Sequence, residues 1–159
     1  MTTRIIGIDP GYDRLGIAII EKPKKGKELV LHSECFQTSA KDDIYTRFGC
    51  VASHIGNILE TYKPDALAIE TLFITKNQKT AMRVAEARGI ILSEAIRRGV
   101  SIHEYTPMQI KMAVTSDGTS DKGRVIKMVH LLVSLPRKKV IDDEYDAIAA
   151  ALTHSACTR

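Results

Sequence analysis

Two carboxylates in this chain close hydrophobic runs. Asp9 follows Ile5-Ile6-Gly7-Ile8, and Glu70 follows Ala66-Leu67-Ala68-Ile69. A carboxylate in such a place is costly to bury unless positive charge compensates it. Two more acids, Asp143 and Asp146, are spaced i, i+3 ahead of Ala147-Ile148-Ala149-Ala150-Ala151-Leu152. On a helix that spacing puts both on one face. Ligands bind at the carboxyl ends of parallel α/β strands. If the two strands are neighbours, Asp9 and Glu70 open onto one crevice.

Four converging acids repel by several kcal/mol if dry and unneutralised. A divalent cation is the natural neutraliser. An all-oxygen set with no His or Cys in the motif favours Mg²⁺ or Mn²⁺ over zinc. Two such ions roughly 3.5–4 Å apart can activate a water and stabilise the leaving oxygen in phosphodiester hydrolysis. Taken singly, the acids have plainer roles. Asp9 suits a turn, Asp143 suits an N-cap, and a helix N-terminus favours acidic side chains in general.

The elements that must position these groups follow from periodicity. Residues 4–9, 16–21 and 28–37 read as three short strands joined by tight turns, an antiparallel meander. From Ile44 the apolar residues Phe48, Val51, Ile55, Ile58 and Tyr62 fall three and four apart, one helix stripe that Pro64 stops. Residues 66–70 read as a buried strand. A connection through a helix predicts that it lies parallel to part of the sheet. A helix over 78–98, a strand over 100–105, a short helix over 107–114 with Pro107 at its first position, and helices over 122–133 and 142–156 complete the order. The predicted fold class is α/β, a mixed five-stranded sheet flanked by helices, in a single domain over 1–159.

Composition agrees with a globular chain. Of 159 residues, 44% are apolar and 26% charged, and Trp is absent, so the core must be aliphatic. The formal net charge of +4 permits an acidic partner without demanding one. The three cysteines, Cys35, Cys50 and Cys157, have no C-x-x-C spacing and read as small buried hydrophobes or inert thiols of a reducing cytosol. Met1-Thr2-Thr3-Arg4 runs straight into a strand, so no secretory leader is expected. No apolar run reaches the roughly 18 residues that span a bilayer, so no membrane is expected.

The string Gly7-Ile8-Asp9-Pro10-Gly11 followed by Gly16 resembles the opening of the RuvC family of Holliday junction resolvases. So do Ala68-Ile69-Glu70 with Phe73 and Lys76-Asn77, then Glu86-Ala87-Arg88-Gly89, then Tyr105 with Lys111, and Asp143-Glu144-Tyr145-Asp146-Ala147 with His154. The match runs in order almost end to end. The resemblance implies an RNase H-like fold, a homodimer, and Mg²⁺-dependent nicking of two symmetric strands at a four-way DNA junction. It assigns Asp9, Glu70, Asp143 and Asp146 as metal-binding catalytic acids. A branch-migration helicase is the further partner it admits. The chain departs from the family in the loop before residue 122. It keeps Gly118 and Lys122 but carries Ser116, Thr119 and Ser120 where glycine, alanine and a basic or amide residue are usual.

For DNA, the resemblance makes Phe73 a wedge at the junction centre. An exposed aromatic stacks on an unpaired base for roughly 1–3 kcal/mol. Lys76, Asn77, Lys111 and Lys122, with Lys79 and Arg83, are phosphate-contact candidates, which position DNA without reading its sequence. Lys22 to Lys27 and Arg137-Lys138-Lys139 read as solvated loop charge. Met82, Met108, Met112 and Met128 read as core or dimer filler. A four-way junction has near two-fold symmetry, so an isologous dimer is expected. Ala81, Ala85, Ala87 and Gly89 are its candidate seam. Alternatives are an RNase H-like nuclease on other branched or flapped DNA, a junction-binding protein without catalysis, and a sugar-kinase-type ATPase, which needs a second large lobe.

Overall fold

A computed structural model describes residues 2–72, 78–135 and 139–158. The strands are β1 (Thr3–Asp9), β2 (Arg14–Lys22), β3 (Glu28–Gln37), β4 (Ala66–Glu70), β5 (Ser101–Tyr105) and β6 (Val133–Ser134). The helices are α1 (Ile44–Tyr62), α2 (Gln78–Arg97), α3 (Pro107–Thr115), α4 (Lys122–Leu132) and α5 (Asp142–Cys157). The strands form one mixed sheet in the order β5-β4-β1-β2-β3-β6. β1, β2 and β3 pair antiparallel, as the tight turns require, while β4 runs parallel to both β1 and β5. The sheet therefore has six strands rather than the five expected. β6 contributes only two residues, Val133 and Ser134, beside Glu28 and Leu29. A pair of residues carries no periodicity, and nothing in the sequence marks it.

Strand alternation sorts the core. Ile6, Ile8, Ile17, Ile19, Leu67 and Ile69 face α1 and α2, packing on Val51, Ile55, Ile91 and Ala95. Ile5, Ala18, Ile20 and Ala68 face the other way, against α5, with α3 and α4 outside it. That second layer explains why α5 is apolar on nearly every side: Ala147, Ile148, Ala149, Ala150 and Ala151 are all at most 1% exposed.

Two glycines let α5 lie this close. A Cβ on Gly7 would stand 2.0 Å from the Ala147 carbonyl oxygen, and one on Gly16 would stand 2.2 Å from that of Asp143. No side chain fits there, so helix and sheet meet backbone to backbone. Caps set the helix ends. Asp43 accepts hydrogen bonds from the Tyr45 and Thr46 amides at the start of α1. Thr106 and Gln109 close a capping box around Pro107 at the start of α3. Asp121 caps α4.

Candidate active site

The parallel register pairs Ile5 with Ala66 and Ile8 with Ile69. Asp9 and Glu70 are each the next residue, so both leave the sheet at the same end. Each is an even number of residues from Gly7 or Ala68, the positions turned toward α5, so both face that helix. The N-terminus of α5 supplies the third acid. Asp9, Glu70 and Asp146 line one cleft of about 360 Å³, walled by Pro107, Ile110, Val125 and Ala149 and rimmed by Lys111 and Lys122.

Charge crowding is visible in the proton affinities. Asp9 is pushed up to about 7, first by burial and then by the negative charge of Asp146, Glu70 and Asp143. Glu70 is raised by burial and by Asp146, with Lys111 acting against the rise. Asp143 behaves oppositely. Its hydrogen bonds from the Arg14 guanidinium hold it below the ordinary aspartate range. Both Nε and Nη2 of Arg14 donate to Asp143 Oδ2, Nε at 3.2 Å. Asp143 is therefore not the N-cap that its position suggested. Ile141 occupies that place, and Glu144 Oε2 accepts from the Ile141 amide at 3.0 Å.

Lys122 Nζ lies 3.0 Å from Asp146 Oδ2 and 3.4 Å from Asp142 Oδ2. Burial works against its ammonium, but the hydrogen bonds and attraction of Asp146 and Asp142 prevail and raise its pKa. Among the described residues no three His, Cys, Asp or Glu side chains close on one point as a ready metal cage. On α5, Asp146 lines the cleft and is paired with Lys122, whereas Asp143 is paired with Arg14 and is not among the residues lining the cleft.

The loop that departs from the family pattern is a self-bonded turn. Thr115 Oγ1 and Ser120 Oγ share a 2.7 Å hydrogen bond, Asp117 accepts from Thr119, and Arg124 pairs with Asp117 at 3.1 Å. It ends at the Asp121 cap and so delivers Lys122 to the cleft mouth.

Other expectations divide. Lys111 and Lys122 stand at the cleft, whereas Arg83 pairs with Glu86 at 2.8 Å. Phe73, Lys76 and Asn77, with Arg137 and Lys138, lie outside the described residues. His154 packs: it is buried, shares a 2.8 Å hydrogen bond with Tyr105, stacks on His103, and is not among the residues lining the cleft. Of the two roles expected for the methionines, core filler holds only for Met128. Met82, Met108 and Met112 are more than half exposed, and only Met128 packs against the core. Helical spacing marks a face without saying which face is covered. Cys50 and Cys157 are exposed rather than buried, and all three cysteines are free. Arg14 and Asp142 escaped the sequence reading. The one available signal was that Arg14 shares a strand face with Gly16, two residues on.

Parallel strand ends carrying acids against a buried helix define the class, an α/β protein of RNase H-like fold. The family model described as crossover junction endodeoxyribonuclease RuvC matches residues 5–154. The RuvC of Petrotoga mobilis is 41% identical over 150 residues, covering 94% of this chain and 91% of that protein. The RuvC of Thermosipho melanesiensis is 40% identical over 156 residues, covering 98% and 99%. The Thermus thermophilus RuvC in complex with a Holliday junction substrate superposes with a TM-score of 0.91 at 32% identity, covering 99% of this chain and 95% of that one. The chain belongs to the RuvC family of crossover junction endodeoxyribonucleases.

Proposed function

We propose that this protein resolves four-way DNA junctions as a metal-dependent endonuclease, nicking two like strands symmetrically. The observation that carries the reading is the meeting of Asp9, Glu70 and Asp146 in one cleft with lysines on its rim. In this reading Asp9, Glu70, Asp143 and Asp146 hold Mg²⁺, with Mn²⁺ as a substitute and two ions per site. The donor set fits. It is all oxygen, as hard cations require, and Asp9 is crowded enough by burial and negative charge to hold its proton near neutrality. Metal bound there would activate a water toward phosphorus and stabilise the leaving oxygen. Lys111 and Lys122 face the same opening, where they would meet the scissile phosphate and its neighbours. Ile110, Val125 and Ala149 give the cleft an apolar wall opposite the acids.

Two-fold DNA needs two sites, so the reading includes a homodimer. One exposed stripe of α2 supports it: Met82, Ala85, Gly89 and Ile96 repeat at three- and four-residue spacing and face solvent, with Leu92 half-buried between them. Ala87, expected in that seam, is fully buried in the protein's own core and leaves it. The stripe of helix positions that faces the sheet is fixed by Ala87, Ile91 and Ala95. A cytoplasmic setting and a branch-migration helicase as partner belong to the same reading. Among the described residues no helix is long and apolar enough to cross a membrane.

The test is a labelled four-way junction incubated with and without Mg²⁺. Paired nicks across the branch are expected only with metal. Asp9→Asn is expected to retain junction binding and lose nicking. Cleavage in chelator, or full activity of the variant, would overturn the mechanism. Equal cleavage of flaps and plain duplex would overturn the substrate.

A further inference from the structure

Arg14 is the first residue of β2 and shares its strand face with Gly16. Gly16 brings the backbone of Asp143 within touching distance of that strand. The Arg14 guanidinium consequently overhangs the first turn of α5 and places two N–H groups on a single oxygen, Asp143 Oδ2. The backbone that carries Arg14 is itself anchored. Thr38 Oγ1 donates to the Tyr12 carbonyl at 2.5 Å, the Thr38 amide donates to the Asp13 carbonyl at 3.2 Å, and Arg47 pairs with Asp13. A tight turn at Gly11, where a Cβ would stand 2.0 Å from the Arg14 carbonyl oxygen, completes the brace. By contrast, the side chain is free to leave: Arg14 is 50% exposed, against 20% for Asp143.

The geometry points to Arg14 as a positioning residue for Asp143, a place-holding cation that yields the carboxylate to metal and then contacts a DNA phosphate beside the cut. The inference rests on Asp143 being one of the metal-binding acids. Its logic is charge exchange. In the metal-free protein Arg14 supplies the positive charge that Asp143 needs. A divalent cation makes that charge redundant. The freed guanidinium, half exposed beside the first turn of α5, then has its fork geometry available for a phosphate. Metal and DNA binding become coupled through one side chain, each favouring the other.

The experiment is Mn²⁺ titration by calorimetry of the DNA-free protein, with Arg14→Ala, Arg14→Lys and Asp143→Asn. Removing a competitor makes Arg14→Ala bind Mn²⁺ about 3–5-fold tighter than wild type, the scale of a partly exposed ion pair. Arg14→Lys stays near wild type. A merely structural arginine would give the reverse, weaker binding on truncation. Unchanged or weaker Mn²⁺ affinity in Arg14→Ala, with Asp143→Asn clearly weakened, overturns this inference and leaves the metal assignment standing. Unchanged affinity in Asp143→Asn removes the assignment of Asp143 and the inference with it. The second readout is junction affinity in Ca²⁺ against chelator. Wild type is expected to gain more from the metal than Arg14→Ala, and an equal gain overturns the transfer to phosphate.

Discussion

At the scale of single residues, one carboxyl group records the state of the site. Asp9 is an acid whose folded-state pKa, about 7, lies well above the ordinary aspartate value of 3.8. Between those values the folded chain holds a proton that the unfolded chain has released. Asp9 therefore opposes folding increasingly as pH rises through that window, and its effect is complete above pH 7. In chelator, Asp9→Asn removes the effect. The variant is expected to be more stable than wild type, with the gap widening by about 2 kcal/mol between pH 5 and pH 8. Thermal melts of both proteins at the two pH values measure it. A gap that does not grow with pH would mean that Asp9 is not crowded by its neighbours. Asp143 works in the opposite sense. Arg14 depresses its pKa, so whatever stability it gives is present above the ordinary aspartate range and lost as pH falls through its own value. Mg²⁺ is expected to reduce the pH dependence of wild type, since it supplies the charge that Asp9 lacks.

At the scale of elements, the site depends on how closely α5 approaches the sheet. Gly16→Ala pushes a methyl group into the Asp143 carbonyl, a backbone atom that moves only if the helix moves. The expected cost is about 2–3 kcal/mol, with loss of nicking, because overpacking against backbone is not relieved by a side-chain rotation. The control is Gly49→Ala on the exposed face of α1, where a Cβ meets nothing within 4 Å. That change is expected to stabilise by about 0.5–1 kcal/mol through helix propensity alone. Urea denaturation separates the two, and similar effects from both would show that the close approach is not needed. Sequence signals reached these elements well where a hydrophobic period or a cap was present. α1 begins after Asp43 and ends before Pro64, and the start of α3 follows Thr106-Pro107 as capping chemistry requires. β6 was missed because Val133 and Ser134 gain their strand character only from Glu28 and Leu29, more than a hundred residues away in sequence.

At the scale of the whole molecule, the sheet puts the acidic cleft and the exposed stripe of α2 on opposite faces. α3, α4 and α5 build the cleft on one face, while α1 and α2 cover the other and leave the Met82–Ile96 stripe open. If that stripe joins two copies, Ile96→Asp puts an unpaired charge at the seam. Sedimentation velocity is expected to show a dimer for wild type and a monomer for the variant at micromolar concentration. Junction nicks by the variant would lose their pairing while single nicks persist. A variant that still sediments as a dimer would move the interface elsewhere.

The sequence by itself marked five of the six strands, the helices, and the carboxylates that close buried strands. Apolar period, caps and turn residues are local, and a carboxylate closing a buried strand is legible wherever it occurs. It also carried the parity that sends Asp9 and Glu70 to one face. What only the tertiary structure decided is which charges meet. Arg14 and Asp143 are separated by 129 positions, and Lys122 and Asp146 by 24, yet each pair is in hydrogen-bond contact. No period predicts such a partnership. It arises because two glycines draw the last helix down onto the sheet, and long basic side chains then reach the nearest uncompensated carboxylate.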